Sequence, residues 1–187
     1  GVGAMAALLG LDFEAVVEVA EEAGQGEEIC AAANDNAVGQ VVVSGHAAAV
    51  ARAIDLAKER GAKRAMELPV SAPFHCSLMQ PAADEMRAAL AEAKISAPAV
   101  PVIANVCAAP VSDPEEIRQL LVEQITARVR WRESMIWLAD NNAGNLVELG
   151  SGKVLATMAR RIDPRLTATA LSTPDDIRTY LEETQGD

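Results

Sequence analysis

The sequence predicts an α/β protein built in two parts, and three observations carry that prediction. Stretches with apolar residues at helical spacing interleave with short apolar runs that read as strands. Up to Leu68 the order is strand, helix, strand, strand, helix, strand; from there to the end, strand and helix alternate. Between the two patterns lies a loop bracketed by Pro69 and Pro73, through which neither a helix nor a central strand can run.

The first part begins with the apolar strand Ala4 to Leu9. Leu11-Asp12 opens a helix in which Phe13, Val16, Val17 and Ala20 share a face, and Gly24 closes it. Glu28 to Ala33 and Gln40 to Val43 read as strands joined by a turn-rich connection, Asn34 to Gly39. Ser44 is placed to cap the next helix, whose apolar face is Ala47, Val50, Ile54 and Ala57 and whose end is Gly61. Arg64 to Leu68 is the fourth strand. This order is the split βαβ, ferredoxin-like arrangement, so residues 1–68 are expected to form a small subdomain.

In the second part, residues 69–187, Pro81 suits the first turn of a helix to about Lys94 with Ala82, Met86, Ala89, Leu90 and Ala93 on one face. Val100 to Val106 is nearly all apolar and reads as a buried strand. Asp113-Pro114-Glu115-Glu116 is a strong helix start, followed by a buried face of Ile117, Leu120, Leu121 and Ile125. A helix near Arg132–Asn141, a strand Leu146–Leu149, a turn Gly150-Ser151-Gly152 and a helix through Ile162 follow. Thr167 to Leu171 alternates as a last strand, and Thr173-Pro174-Asp175-Asp176 opens the closing helix. Alternation of this kind calls for a parallel sheet covered on both faces.

Composition excludes several classes of function. With 27 acidic against 16 basic residues and a net charge of −11, the chain lacks the excess positive charge that nucleic acid requires. No apolar run is long enough to span a bilayer and no basic-then-apolar leader is present, so a cytoplasmic location is expected. Cys30, Cys76 and Cys107 are widely spaced without a CxxC pattern and read as reduced thiols. Nothing in the sequence places the two histidines and a carboxylate together, so no metal site is expected. The chain opens Gly1-Val2-Gly3-Ala4 without an initiator methionine, as the remainder of a longer protein would.

Two residues stand out chemically. His75 sits in the stiff proline-bracketed loop, where an imidazole could be held for proton transfer or could simply bond a loop carbonyl. Gln124 lies on the apolar face of its helix near the end, where backbone carbonyls lack intrahelical donors. One such carbonyl could take the imidazole N–H, or the glutamine could merely cap its own helix. A serine nucleophile on a GxSxG elbow is missing: Ser44 reads as a helix cap and Ser151 as a turn residue. Gly150-Ser151-Gly152-Lys153 lacks the spacing of a phosphate loop. Cys76 reads as a buried small hydrophobe and His46 as a solvated helix-start residue.

The run PVSAPFHCSLMQPAADEM at 69–86, with GQVVVSGH at 39–46 and VELGSGKVLATMARRID at 147–163, resembles the malonyl-CoA:acyl carrier protein transacylases of bacterial fatty acid synthesis and the related acyltransferase domains of polyketide synthases. The likeness runs from Gly1 to Leu181. It implies that residues 69–187 are the C-terminal part of a large α/β-hydrolase-like domain, and that the activity is ping-pong malonyl transfer through a serine acyl-enzyme without a cofactor. It further implies that His75 is the base, oriented by the main-chain carbonyl of Gln124, and that Phe74 and Val70 border the acyl group. The family's GHSxG serine and its carboxylate-binding arginine precede the ferredoxin-like unit, so the resemblance implies a missing N-terminal half and an inactive chain on its own. Malonyl-CoA and an acidic acyl carrier protein are the implied partners, with Lys63, Arg64, Arg160 and Arg161 as docking candidates. An extender-unit transferase of a polyketide pathway and a non-catalytic ferredoxin-like binding module are the alternatives.

Overall fold

Near-continuous apolar runs make strands that are buried on both faces, and the first of these is the centre of the first sheet. The computed structural model describes residues 2–184. Its contacts divide into two units, Gly1–Ser134 and Met135–Asp187.

In the first unit β1 (Gly3–Leu9), α1 (Phe13–Ala23), β2 (Cys30–Ala37), β3 (Gln40–His46), α2 (Ala47–Glu59) and β4 (Arg64–Glu67) follow in chain order. The four strands are antiparallel, in the spatial order β2-β3-β1-β4. Alternate side chains explain the layering: Ala4, Ala6, Leu8, Val41 and Val43 face the helices, where they meet Val16, Val19 and Ala20 of α1 and Val50, Ala53 and Ala57 of α2. Met5, Val42 and Ala33 pack together on the other face. Asp12 caps α1 by accepting the Ala15 N–H at 2.8 Å.

Three details differ from the sequence expectation. The second strand begins at Cys30 and continues through Asn34-Asp35-Asn36 to Ala37, leaving only Val38-Gly39 between it and β3. These turn-forming residues are kept in the strand by irregular register between Ala32 and Asn34 and between Asp35 and Ala37. Asp35, 1% exposed, pairs with Arg132 at 2.7 Å. The edge is also partly covered, since Val129 donates to Ala33 O at 2.8 Å and accepts from Asp35 N at 2.9 Å. Ser44 is not the helix cap but a fully buried residue of β3, and His46 holds the cap position. His46 is half-buried, and its Nδ1 accepts the Ile29 N–H at 3.0 Å. Glycine is required at 45, because a Cβ there would fall 2.1 Å from Ile29 O.

The remainder of this unit holds a 3₁₀ turn at Ser77–Met79, α3 (Gln80–Glu92), the antiparallel pair β5 (Val102–Ala104) and β6 (Ala109–Val111), and α4 (Pro114–Glu123). The expected buried strand Val100–Val106 is thus a three-residue hairpin arm, with Val100 72% exposed. On α3 only Ala83 is buried, while Met86 and Ala89 of the expected apolar face are exposed. On α4 the buried residue is Val122, and Leu121 is exposed. α5 (Trp131–Asp140) begins in this unit.

In the second unit β7 (Asn145–Leu149), α6 (Val154–Ile162), β8 (Thr167–Leu171) and α7 (Pro174–Thr184) follow. β7 and β8 pair in parallel through α6, as strand-helix-strand alternation demands. Among the described residues the expected covered parallel sheet is this single pair. Met158, Ala159, Leu166 and Leu171 are buried, but Leu149 is 73% exposed. No helix among the described residues is long and apolar enough to cross a membrane.

Candidate active site

The His75 loop starts where β4 leaves the sheet. Leu68 N–H donates to Met5 O and Val70 N–H to Leu68 O, each at 2.8 Å, which turns the chain back toward β1. His75 has φ 59°, a left-handed conformation that costs a non-glycine residue about 1–2 kcal/mol. Cys76 is buried directly after it. Its thiol donates to Pro73 O at 3.1 Å and accepts the Ser44 hydroxyl at 3.7 Å. The chain then enters the 3₁₀ turn, with Met79 N–H on Cys76 O at 3.0 Å, and so reaches α3.

The imidazole finds its partner at the end of α4. Asp113 caps that helix by accepting the N–H groups of Glu115 and Glu116. At the other end Gln124 N–H closes on Leu120 O at 2.9 Å, and the following N–H groups turn back to Val122 and Glu123. The Gln124 carbonyl is left over from this pattern, as helix-end carbonyls are. His75 Nδ1 donates to it at 3.0 Å. The proton is therefore on Nδ1, and Nε2 carries the lone pair of a base. The Gln124 side-chain amide lies 3.4 Å from both Nδ1 and Ala127 O. Because Nδ1 already carries a proton, that amide donates to Ala127. Nε2 makes no hydrogen bond among the described residues, and the ring is half-buried. The arrangement can accept a proton and return it, with a main-chain carbonyl in the orienting place where other bases have a carboxylate.

No protein-family model matches the chain. The malonyl CoA-acyl carrier protein transacylase of Escherichia coli strain K12 is 43% identical over 182 residues, covering 97% of this chain and 59% of the relative. A crystal structure of acyl-carrier-protein-S-malonyltransferase from Bartonella henselae superposes with a TM-score of 0.93 at 50% identity, over 99% of this chain and 59% of that one. A malonyl-transacylase in complex with a type II polyketide-synthase acyl-carrier protein, PlMCAT:AntF, gives a TM-score of 0.93 at 40% identity, over 98% and 59%. Over nearly its whole length the chain is similar to malonyl CoA-acyl carrier protein transacylases. It spans about three-fifths of the length of the relatives it matches.

Around the histidine and carbonyl, the chain places its other candidates unevenly. Phe74 and Val70 are on the same loop and both are exposed. Behind Gln124 lies an apolar hollow of about 190 Å³ lined by Ile103, Val111, Ile117, Leu120 and Leu121. Lys63 and Arg64 at β4, and Arg160 and Arg161 in the last turn of α6, are exposed. None of the four makes an ion pair among the described residues, whereas Arg52, Arg60, Arg87, Arg118, Arg128, Arg130, Arg132, Arg165 and Arg178 all do. No cluster of three or more His, Cys, Asp and Glu able to hold a metal occurs among the described residues. Sequence reasoning did not connect Gly3 and Ser44 with the His75 loop, which both touch, while Cys76 within the loop is buried as a small hydrophobe, as expected. The available signal was a glycine at the head of an apolar strand, which marks a close approach, and a serine directly after a run of valines.

Proposed function

We propose that this chain contributes the base to an enzyme that moves a malonyl group from malonyl-CoA to the pantetheine thiol of an acyl carrier protein in fatty acid biosynthesis. The observation that carries the proposal is the 3.0 Å bond from His75 Nδ1 to the Gln124 carbonyl, in a chain 43% identical to a malonyl CoA-acyl carrier protein transacylase. The nucleophilic serine and the carboxylate-binding arginine belong to the part of the family that these residues do not span. His75 Nε2 takes the serine proton as the hydroxyl attacks the malonyl thioester, and returns it to the departing CoA thiolate. In the second half-reaction the same nitrogen takes the pantetheine thiol proton as sulfur attacks the serine ester, then protonates the released serine. The transfer we infer uses no cofactor, and the setting we infer is cytoplasmic.

In domain terms we infer a ferredoxin-like small subdomain over residues 1–68 and the C-terminal part of an α/β-hydrolase-like domain over 69–187. The spatial strand order of the first sheet supports the former, and the parallel β7–β8 pair with its crossover helix supports the latter. The exposed cations Lys63, Arg64, Arg160 and Arg161 are suited to docking an acidic carrier protein against a chain of net charge −11. Phe74 and Val70 are exposed on the loop that carries His75 and border the acyl group in this reading.

The test is reconstitution with a polypeptide carrying the family's GxSxG segment. His75→Ala in that assembly should lower kcat by about 10²- to 10⁴-fold, while Gln124→Ala should do far less because the orienting oxygen is main-chain. Malonyl transfer by the 187-residue chain alone, acylated on one of its own serines, would defeat the proposal. The likeness to a transacylase bound to a polyketide-synthase carrier favours a second reading as an extender-unit transferase. Phe74→Ser separates the two: a gain in methylmalonyl-CoA use, bounded by about 1–3 kcal/mol for one methyl group, shows that the ring sets acyl selectivity.

A further inference from the structure

We infer that Gly3 at the head of β1 and the Ser44–Cys76 pair of β3 and the loop are positioning residues, which hold the His75 imidazole on the Gln124 carbonyl. The inference rests on the proposed role of His75, although its test does not require activity. A histidine with φ 59° does not hold that conformation by local preference, so its surroundings must over-determine it. Two anchors stand on either side of it.

The first anchor is two residues before the histidine. A Cβ on Gly3 would lie 2.3 Å from Cγ, 2.6 Å from Cβ and 2.7 Å from Cδ of Pro73. Three atoms of one rigid ring occupy the place of a missing side chain, so the loop is seated in a notch of β1 that exists only because residue 3 is glycine. The second anchor is the residue after the histidine. The buried Ser44 hydroxyl donates to the Cys76 sulfur at 3.7 Å, and the Cys76 thiol donates to the Pro73 carbonyl at 3.1 Å. Ser44 directly follows Val41, Val42 and Val43 in β3 and is fully buried, a setting in which an apolar residue would be ordinary. Its polar atom is accounted for by this contact. The two anchors meet at Pro73, one through its ring and one through its carbonyl. His75 therefore leaves a fixed point, and a third element, α4, receives its ring.

The experiment reads the imidazole of ¹⁵N-histidine-labelled 187-residue chain by long-range ¹H–¹⁵N correlation, with His75→Ala to assign the signals. The parent should show one tautomer, with the proton on Nδ1. Gly3→Ala should move the two ring-nitrogen signals toward each other, as tautomers mix when the ring leaves the carbonyl. Should Gly3→Ala fail to fold, Cys76→Ala carries the test: it should mix the tautomers, and Cys76→Ser, which keeps a donor and an acceptor, should preserve the parent pattern. Val19→Ala, which opens core volume on the helix-facing side of the sheet, should lower Tm and leave the His75 signals in place. Parent-like signals in folded Gly3→Ala or in Cys76→Ala would overturn the inference. So would Val19→Ala moving them as far as Cys76→Ala does. Failure of the transacylase proposal looks different, since the tautomer shifts would stand while the reconstituted assembly transferred no malonyl group.

Discussion

The first sheet and the β7–β8 pair are both α/β structure, yet one closes on its own residues and the other does not. In the first, four strands and two helices bury Leu8, Val16, Val19, Val41, Val43 and Val50 completely or nearly so. In the second, two parallel strands and their helices leave Leu149, Val154, Leu155, Ile177 and Leu181 exposed. Parallel strands are ordinarily buried on both faces in larger sheets, and a lone pair has too little apolar surface to cover itself. The chain spans about three-fifths of the relatives' length, and within it the antiparallel sheet, whose partners are near in sequence, covers its apolar residues while the parallel pair leaves its own open.

The largest effect that would sharpen this contrast comes from one substitution made in each region. Leu8→Ala, at a fully buried β1 site, should cost roughly 3 kcal/mol in a denaturant titration. Leu149→Ala, at a site 73% exposed, should change stability by less than about 0.5 kcal/mol. Equal costs would break the comparison. If a complementing polypeptide covers β7, the Leu149 substitution should become costly in its presence.

Next in size is the polar tie at the edge of the first sheet. Asp35→Ala leaves Arg132 without its partner and removes the group that keeps β2 extended through Asn36. A loss of about 3 kcal/mol is expected, with faster amide exchange at Asp35 and Val129, whose N–H groups donate to the carbonyls of Val129 and Ala33. An unchanged exchange pattern would show that the edge is held by Val129 alone.

Titration should then separate the regions at opposite ends of the pH scale. Burial, with the Cys76 thiol nearby, pushes the Cys30 thiol from 9.0 up to about 12. The folded chain keeps a proton that the unfolded chain gives up, so this contribution is full below about pH 9 and is lost as pH rises toward 12. Urea midpoints of the parent should fall across that window, and Cys30→Ala should flatten the fall.

The smallest expected effect lies in the second unit. The Arg165 side chain, and then its backbone N–H, lower the Asp163 carboxyl from 3.8 to about 2. The stabilised form is the carboxylate, so its contribution is present above about pH 4 and is lost as pH falls through 2. The carboxyl carbon shift of Asp163, followed by NMR, should move in that window, and Arg165→Ala, which keeps the backbone N–H bond, should raise the midpoint part of the way toward the ordinary range. An Asp163 midpoint that does not depend on Arg165 would remove this contact from the second unit.

The sequence by itself determined which segments are helices and which are strands wherever local signals agreed. Asp12 before α1, Asp113-Pro114 before α4 and the alternation of Thr167 to Leu171 are cases in which cap chemistry and side-chain period need no distant partner. It also singled out His75, because prolines restrict their own neighbourhood, and Gln124, because a polar residue on an apolar face is a local anomaly. Tertiary structure decided the rest. Asn34-Asp35-Asn36 reads as a turn until Arg132, nearly a hundred residues away in sequence, supplies the charge that holds Asp35 inside a strand. Ser44 reads as a cap until Cys76 arrives beside it, and Gly3 reads as a chain start until the Pro73 ring fills its missing side chain. Local preferences amount to about a kilocalorie per residue, so a single long-range ion pair, buried bond or steric notch is enough to overrule them, and such partners are visible only once the chain has folded.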